Sequence, residues 1–150
     1  MCSVCASAHS DALILFDNSN EFSRKQLTIL KRITSNLINI LDSKNTDNRV
    51  GLISIGGKAH LQFGLGSNGE QINQWISEIN RTASGRDVAG AFEISSEQAW
   101  TGFSDRKRHL ILVTDRLFCE KRGSEESKSI VLFVSDEHSN ILGMNITIND

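Results

Sequence analysis

Three apolar runs in this chain each lead into an aspartate. Residues 12–16 are Ala, Leu, Ile, Leu and Phe and run straight into Asp17. Residues 110–113 lead through Thr114 into Asp115, and residues 130–134 lead through Ser135 into Asp136. An unbroken apolar run between polar residues describes a strand buried on both faces, as in a parallel sheet covered by helices. In such sheets ligands bind in the crevice beyond the carboxyl ends of the strands. The three aspartates are therefore expected along one rim.

The remaining pattern supplies the covering helices and the other strands. Leu27, Leu30, Ile33, Leu37, Ile40 and Leu41 recur at three- and four-residue intervals with polar residues between them, which predicts a long amphipathic helix. Residues 49–55 and 58–63 read as two strands around Gly56-Gly57, a tight-hairpin signal because both glycines can take positive φ. Ser67 and Glu70 fit a capping box, and Ile72, Trp75, Ile76 and Ile79 then form one helical face. A polar stretch over 81–86 leads into another helix through Val88, Ala91, Phe92, Ser95 and Ala99.

The C-terminal third is less regular. Residues 116–129 barely supply the dozen or so residues a parallel crossover needs, and residues 123–127 offer no apolar face. Residues 141–148 alternate weakly at Met144, Ile146 and Ile148. Only residues 136–140 precede them, so this last strand turns back antiparallel as a half-exposed edge or leaves the sheet. The fold class expected is α/β: a doubly wound, mostly parallel sheet with one antiparallel edge strand, helices on both faces and a shortened C-terminal part. The first, second, fourth and fifth strands are expected to be parallel, with residues 58–63 as the antiparallel edge. Residues 1–10 read as a tail and 11–150 as one domain.

Composition narrows the function classes. At 150 residues, 39% hydrophobic and 23% charged, the chain is an ordinary globular domain with room for one core. A formal charge of −2 gives no electrostatic case for nucleic acid, and no apolar stretch approaches the ~20 residues of a membrane span. The run Arg106-Lys107-Arg108-His109 abuts an apolar strand and reads as its solvated start. The N-terminus has neither the basic start nor the apolar middle of a secretory leader. Cys2 and Cys5 have CxxC spacing, but they precede the first strand, so a terminal disulfide or unpaired thiols rank above a zinc site with His9 and Cys119. Asn80-Arg81-Thr82 and Asn145-Ile146-Thr147 match the glycosylation pattern.

Asp17, followed by Asn18 and Ser19, has a bland reading as a helix cap. The residues 10–19, together with the strands at 49–55, 59–63 and 109–115 and the paired helices within 72–100, also carry a resemblance. They are similar to a von Willebrand factor type A domain, also called an integrin I-like domain, over roughly the first 115 to 120 residues. The resemblance implies a Rossmann-like fold and a metal-ion-dependent adhesion site, built from a DxSxS motif, a loop threonine and a late aspartate. Hard oxygen ligands of this kind suit Mg²⁺ or Mn²⁺, with an open position for a partner's carboxylate. Asp17 and Ser19 match the first motif positions and Asp115 the late aspartate. Glu21 replaces the second motif serine, Arg86 falls at the threonine, and Arg116 stands where glycine is expected.

An arginine, always charged, brings a fixed cation into a cation site. Arg86 is expected to pair with Asp17, Glu21 or Asp115 in the metal's place, so the metal site reads as degenerate. What the resemblance implies is a non-catalytic, protein-binding adhesion module that is extracellular, with a cytoplasmic alternative. Its partner would meet the rim at Glu21, Arg86, Asp87 and Arg116. Self-association would run through the C-terminal edge. The competing classes are a haloacid dehalogenase-type phosphotransferase using Asp17, which would want a second carboxylate where Ser19 stands, and a ligand-free structural remnant.

Overall fold

The first apolar run becomes an inner strand. The computed structural model describes residues 10–20, 23–43, 47–82, 85–96, 107–114, 129–135 and 141–147. In chain order the elements are β1 (Ser10–Phe16), α1 (Arg24–Leu41), β2 (Arg49–Ser54), β3 (His60–Phe63), α2 (Gly69–Glu78), α3 (Val88–Ile94), β4 (Lys107–Thr114), β5 (Ser129–Ser135) and β6 (Ile141–Thr147). They form one six-stranded sheet in the order β3-β2-β1-β4-β5-β6. β1 runs parallel to β2 and to β4, and β3 is the expected antiparallel edge.

Both faces of β1 are covered, which is why its apolar run is unbroken. Ala12, Ile14 and Phe16 join Val50, Leu52, Ile111 and Val113 in a core under α1 and α2, through Leu27, Leu30, Ile38, Ile72 and Ile76. Leu13 and Leu15 point the other way, into a second core with Ile53, Ile55, Leu112 and Ala91 of α3. The period-two alternation of a strand thus serves two layers of helices at once. Phe63 and Trp75 close one end of the first core edge to face, with ring centroids 6.1 Å apart.

Four expectations need correction. β5 is antiparallel to β4, with Ile111 opposite Val134 and Thr114 opposite Val131, and not parallel. An antiparallel neighbour needs no crossover across a sheet face, and the 116–129 segment has no apolar stripe from which to build one. β6 does turn back antiparallel, on β5, at the sheet's other edge. The glycine pair is not a two-residue turn, because β2 ends at Ser54 and β3 begins at His60. Only Gly57 takes positive φ, 69°. Gly56 is needed for space, since a Cβ there would run into Asn18. The second helix is capped by Asn68, not Ser67, whose hydroxyl instead bonds the Gly64 carbonyl. The basic run, whose residues 107–109 open β4, is not all solvated either, as His109 is buried.

Candidate functional site at the strands' carboxyl ends

The β1 ladder delivers Asp17 to the rim. Asp17 N–H still bonds the Val113 carbonyl, at 3.1 Å, so the residue leaves the sheet only after its side chain is placed. Ser19 N–H then donates back to Asp17 Oδ1 at 3.0 Å, the local turn that aspartate favours. Asp17 is no helix cap: that task falls to Ser23, whose hydroxyl and Gln26 form a reciprocal capping box on α1.

Asn18 clamps this loop to its neighbours. Its Oδ1 accepts from Gly56 N–H at 2.9 Å, and its carbonyl accepts from Thr82 N–H at 2.9 Å. The segment before α3 is stitched down in the same way. Gly56 and Arg86 form a β-bridge, Gly57 N–H bonds the Gly85 carbonyl, and Asp87 N–H bonds the Ile55 carbonyl at 2.8 Å. Arg86 is therefore held by backbone bonds on both sides, with its side chain directed at β1.

That side chain meets Asp17. Arg86 Nη1 lies 3.2 Å from Asp17 Oδ2 and 3.3 Å from Thr114 Oγ1, and the Thr114 hydroxyl donates to Asp17 Oδ2 at 2.8 Å. Asp17, Ser19 and Thr114 are fully buried, and the Arg86 side chain is 15% exposed. In so dry a setting a charge needs a partner, and the arginine is the one supplied to the carboxylate. Ser19 Oγ is buried with no hydrogen-bond partner among the described residues.

The described residues can be tested against a divalent cation. Ser19 Oγ suits one, being a buried oxygen with nothing bound. Asp17 does not: Oδ1 already accepts from an amide and Oδ2 from a hydroxyl and a guanidinium. A Mg²⁺ ion wants carboxylate lone pairs at ~2.0–2.1 Å, and a fixed positive charge beside Oδ2 would repel it. As arranged, these residues do not fit a bound metal. Among the described residues no group of three or more His, Cys, Asp or Glu converges on one point.

The expected residues sort into three sets. Asp17, Ser19 and Arg86 gather at one rim. Asp87 is turned to a structural task, its Oδ1 capping Gly90 N–H at 2.9 Å and its Oδ2 accepting from Ala59 N–H at 3.1 Å. Those two backbone bonds, with Lys58 nearby, hold its carboxyl below the usual range despite some desolvation. Glu21, Asp115 and Arg116 lie outside the described residues, as do Cys2, Cys5, His9, Cys119 and Asp136. Two participants were missed in the sequence. Thr114 gave one signal, a hydroxyl ending an apolar strand where its side chain leaves the core. Asn18 gave none beyond its place beside Asp17.

The comparisons with known proteins agree with this architecture. The profile of the von Willebrand factor type A domain matches residues 12–138. Matrilin-3 of Mus musculus is 26% identical over 100 residues, which are 65% of this chain and 21% of that protein. The match thus spans about a fifth of its curated relative. Among solved structures, proximal thread matrix protein 1 from the mussel byssus superposes with a TM-score of 0.62 at 16% identity, over 79% of this chain and 33% of that one. Another structure of that mussel protein has zinc in its adhesion-site motif, at TM-score 0.59 and 19% identity, over 72% of this chain and 28% of that one. BatB from Bacteroides thetaiotaomicron superposes with a TM-score of 0.60 at 23% identity, over 71% and 53%. At these identities the structures speak for the fold alone. They lend the phosphotransferase alternative no support, and Asp17, buried and bonded on both oxygens, is no exposed nucleophile.

Proposed function

From the premise that this chain belongs to the von Willebrand factor type A domain family, we propose that it is a non-catalytic protein-binding module whose partner meets the carboxyl-end rim of the sheet. Members of this family commonly serve protein recognition and adhesion. The observation that carries the reading is the Arg86–Asp17–Thr114 cluster. It stands where the family's metal site would bridge module and ligand, and it holds an internal cation in the metal's place.

Recognition at this rim would then differ from the metal-bridged kind. An ion must be bound and partly dehydrated before a carboxylate can complete its shell. Here the charge is covalently attached and preset by the backbone bonds of residues 85–87, so no cation has to arrive. We assign the module to residues 11–150 together with Ser10, which already pairs in β1. An extracellular setting is supported by the likeness to matrilin-3, a matrix protein. No helix among the described residues is long and apolar enough to cross a membrane.

A second reading has a specific observation in its favour. The Arg86 side chain is largely buried, so the cluster also suits a plug that merely stabilises a ligand-free remnant. The two separate in one experiment. Immobilised chain is exposed to a matrix extract in EDTA and in Mg²⁺, beside Arg86→Ala and an Ile40→Ser control on the helical surface. A binding module retains a partner in EDTA and loses it with Arg86→Ala alone. If no retained protein depends on Arg86, the rim is a plug.

A further inference from the structure

Beside the rim a cleft of about 940 Å³ runs between the first half of α1 and the segment after α2. Arg24, Leu27, Thr28 and Lys31 line it from α1 and Asn80, Arg81 and Thr82 from the segment after α2, with Asn20 from the loop between β1 and α1. Among the described lining residues three are cations and none is a carboxylate. This concentration of positive charge sits on a chain of net charge −2.

The arrangement runs against the local rules for a helix. The first turn of α1 contains no acidic residue and begins with Arg24 and Lys25. Cations there oppose the helix dipole and give up a few tenths of a kcal/mol or more. A chain that breaks such a rule does so most often at a functional site. Arg24, Thr28 and Lys31 lie on one helical stripe, four and three residues apart. Lys31 is half-buried, its ammonium donating to the Ser77 carbonyl at 3.0 Å, so this cation is fixed and not swinging in solvent.

We propose that this cleft binds an acidic, extended polypeptide segment of the partner, with carboxylates about three residues apart. Arg24 and Lys31 are seven residues apart, about 10 Å along the helix. An extended chain in the polyproline II conformation covers nearly that distance in three residues and returns every third side chain to the same face. Two cations, Arg24 and Lys31, about 10 Å apart suit a short peptide better than a long sulfated polysaccharide, whose binding needs an extended basic track. Burial lowers the Lys31 pKa, and an incoming carboxylate would raise it again. The proposal rests on the reading of the chain as a protein-binding module.

The test titrates the full chain into a labelled peptide bearing Glu at every third position, with a Gln version as the neutral control and heparin as a competing polyanion. The Glu peptide should bind and the Gln peptide should not, and affinity should fall with salt. Arg24→Gln/Lys31→Gln should weaken binding at least tenfold, while Lys25→Gln/Arg32→Gln, with the same charge change off the cleft, should leave it within twofold. Thermal melts verify that both variants fold. Equal loss in the two variants, no Glu-peptide binding, or binding of heparin alone overturns the proposal. A rim-dependent partner found without Glu-peptide binding removes the cleft and leaves the rim. Peptide binding without a rim-dependent partner removes the rim and leaves the cleft.

Discussion

Replacing Arg86 by threonine, the residue the family places there, should convert a metal-indifferent protein into a metal-responsive one. The substitution removes the guanidinium from a fully buried carboxylate. Breaking a buried ion pair by deleting one partner costs about 3–5 kcal/mol in general. Here the loss should be smaller. Asp17 keeps the Thr114 hydroxyl at 2.8 Å and the Ser19 amide at 3.0 Å, and the lost contact is one 3.2 Å bond, not a bidentate fork. We expect about 2 kcal/mol in EDTA, or roughly 4–8 °C in Tm for a domain of this size. The vacated space, lined by Asp17 and the unpartnered Ser19 Oγ, should then accept Mg²⁺ or Mn²⁺. An ion held at ten times its Kd would restore about 1.4 kcal/mol. Differential scanning fluorimetry in EDTA and in Mg²⁺ or Mn²⁺, with calorimetric titration of the same samples, measures both terms. Metal stabilisation of the parent as large as that of the variant would refute the reasoning, because Arg86 would then not be excluding the ion.

Three further expectations are independent of metal. Gly56→Ala should cost about 1–3 kcal/mol, because its Cβ meets Asn18 backbone as well as side-chain atoms, whereas Gly64→Ala, with open space around it, should be near neutral; urea midpoints compare them. Asp87, whose carboxyl is held below the 3.8 of an unfolded chain, contributes stability that is present above about pH 4 and is lost as pH falls from there through its lower folded pKa. Asp87→Asn should therefore flatten the acid limb of a stability–pH curve below pH 4, and an unchanged limb would show that the cap carries no linkage. Any self-association should run through β6, an edge strand with backbone groups open to pairing; sedimentation of the intact chain beside Ile146→Lys checks this, and association indifferent to the lysine rules the edge out.

The parts of the fold legible in the sequence are those where one short pattern has one physical solution. An unbroken apolar run at 12–16 has to be buried on both faces, and it is, with alternate residues serving the α1–α2 and α3 layers. The three- and four-residue spacing of Leu27, Leu30, Ile33, Leu37 and Leu41 closes against such a sheet, but Ile40, read as part of that stripe, is exposed, and Ile38 is buried in the core instead. Strand direction in the C-terminal third was harder to read. Residues 130–134 are as apolar as residues 12–16, and apolarity says nothing about which way a strand runs. The informative feature was the connection: 116–129 lacks a helical stripe, and an antiparallel β5 follows from that absence more directly than from anything within the strand.

The site divides along the same line. Asp17 could be found because a carboxylate ending a buried strand is conspicuous in one dimension. Arg86 could be found only through a family pattern that assigns its position to a hydroxyl; charge then gave its target, since a buried carboxylate in a dry rim requires a positive partner. Asp87, its neighbour, joined the rim because a one-residue shift in the loop's alignment would bring it there in place of Arg86; successive side chains in an extended segment point to opposite sides, so only one of the two can face Asp17. One of this pair therefore reaches Asp17 while the other turns back to hold Ala59 and Gly90. Thr114 belongs to the cluster for the same reason of alternation. Ile111 and Val113 face the α1 layer and Leu112 the α3 layer, so Thr114, two residues beyond Leu112, falls on the face that Asp17 shares with Leu13 and Leu15. A hydroxyl there bonds whatever charge the rim presents, and the sequence held that charge 97 residues earlier, at Asp17.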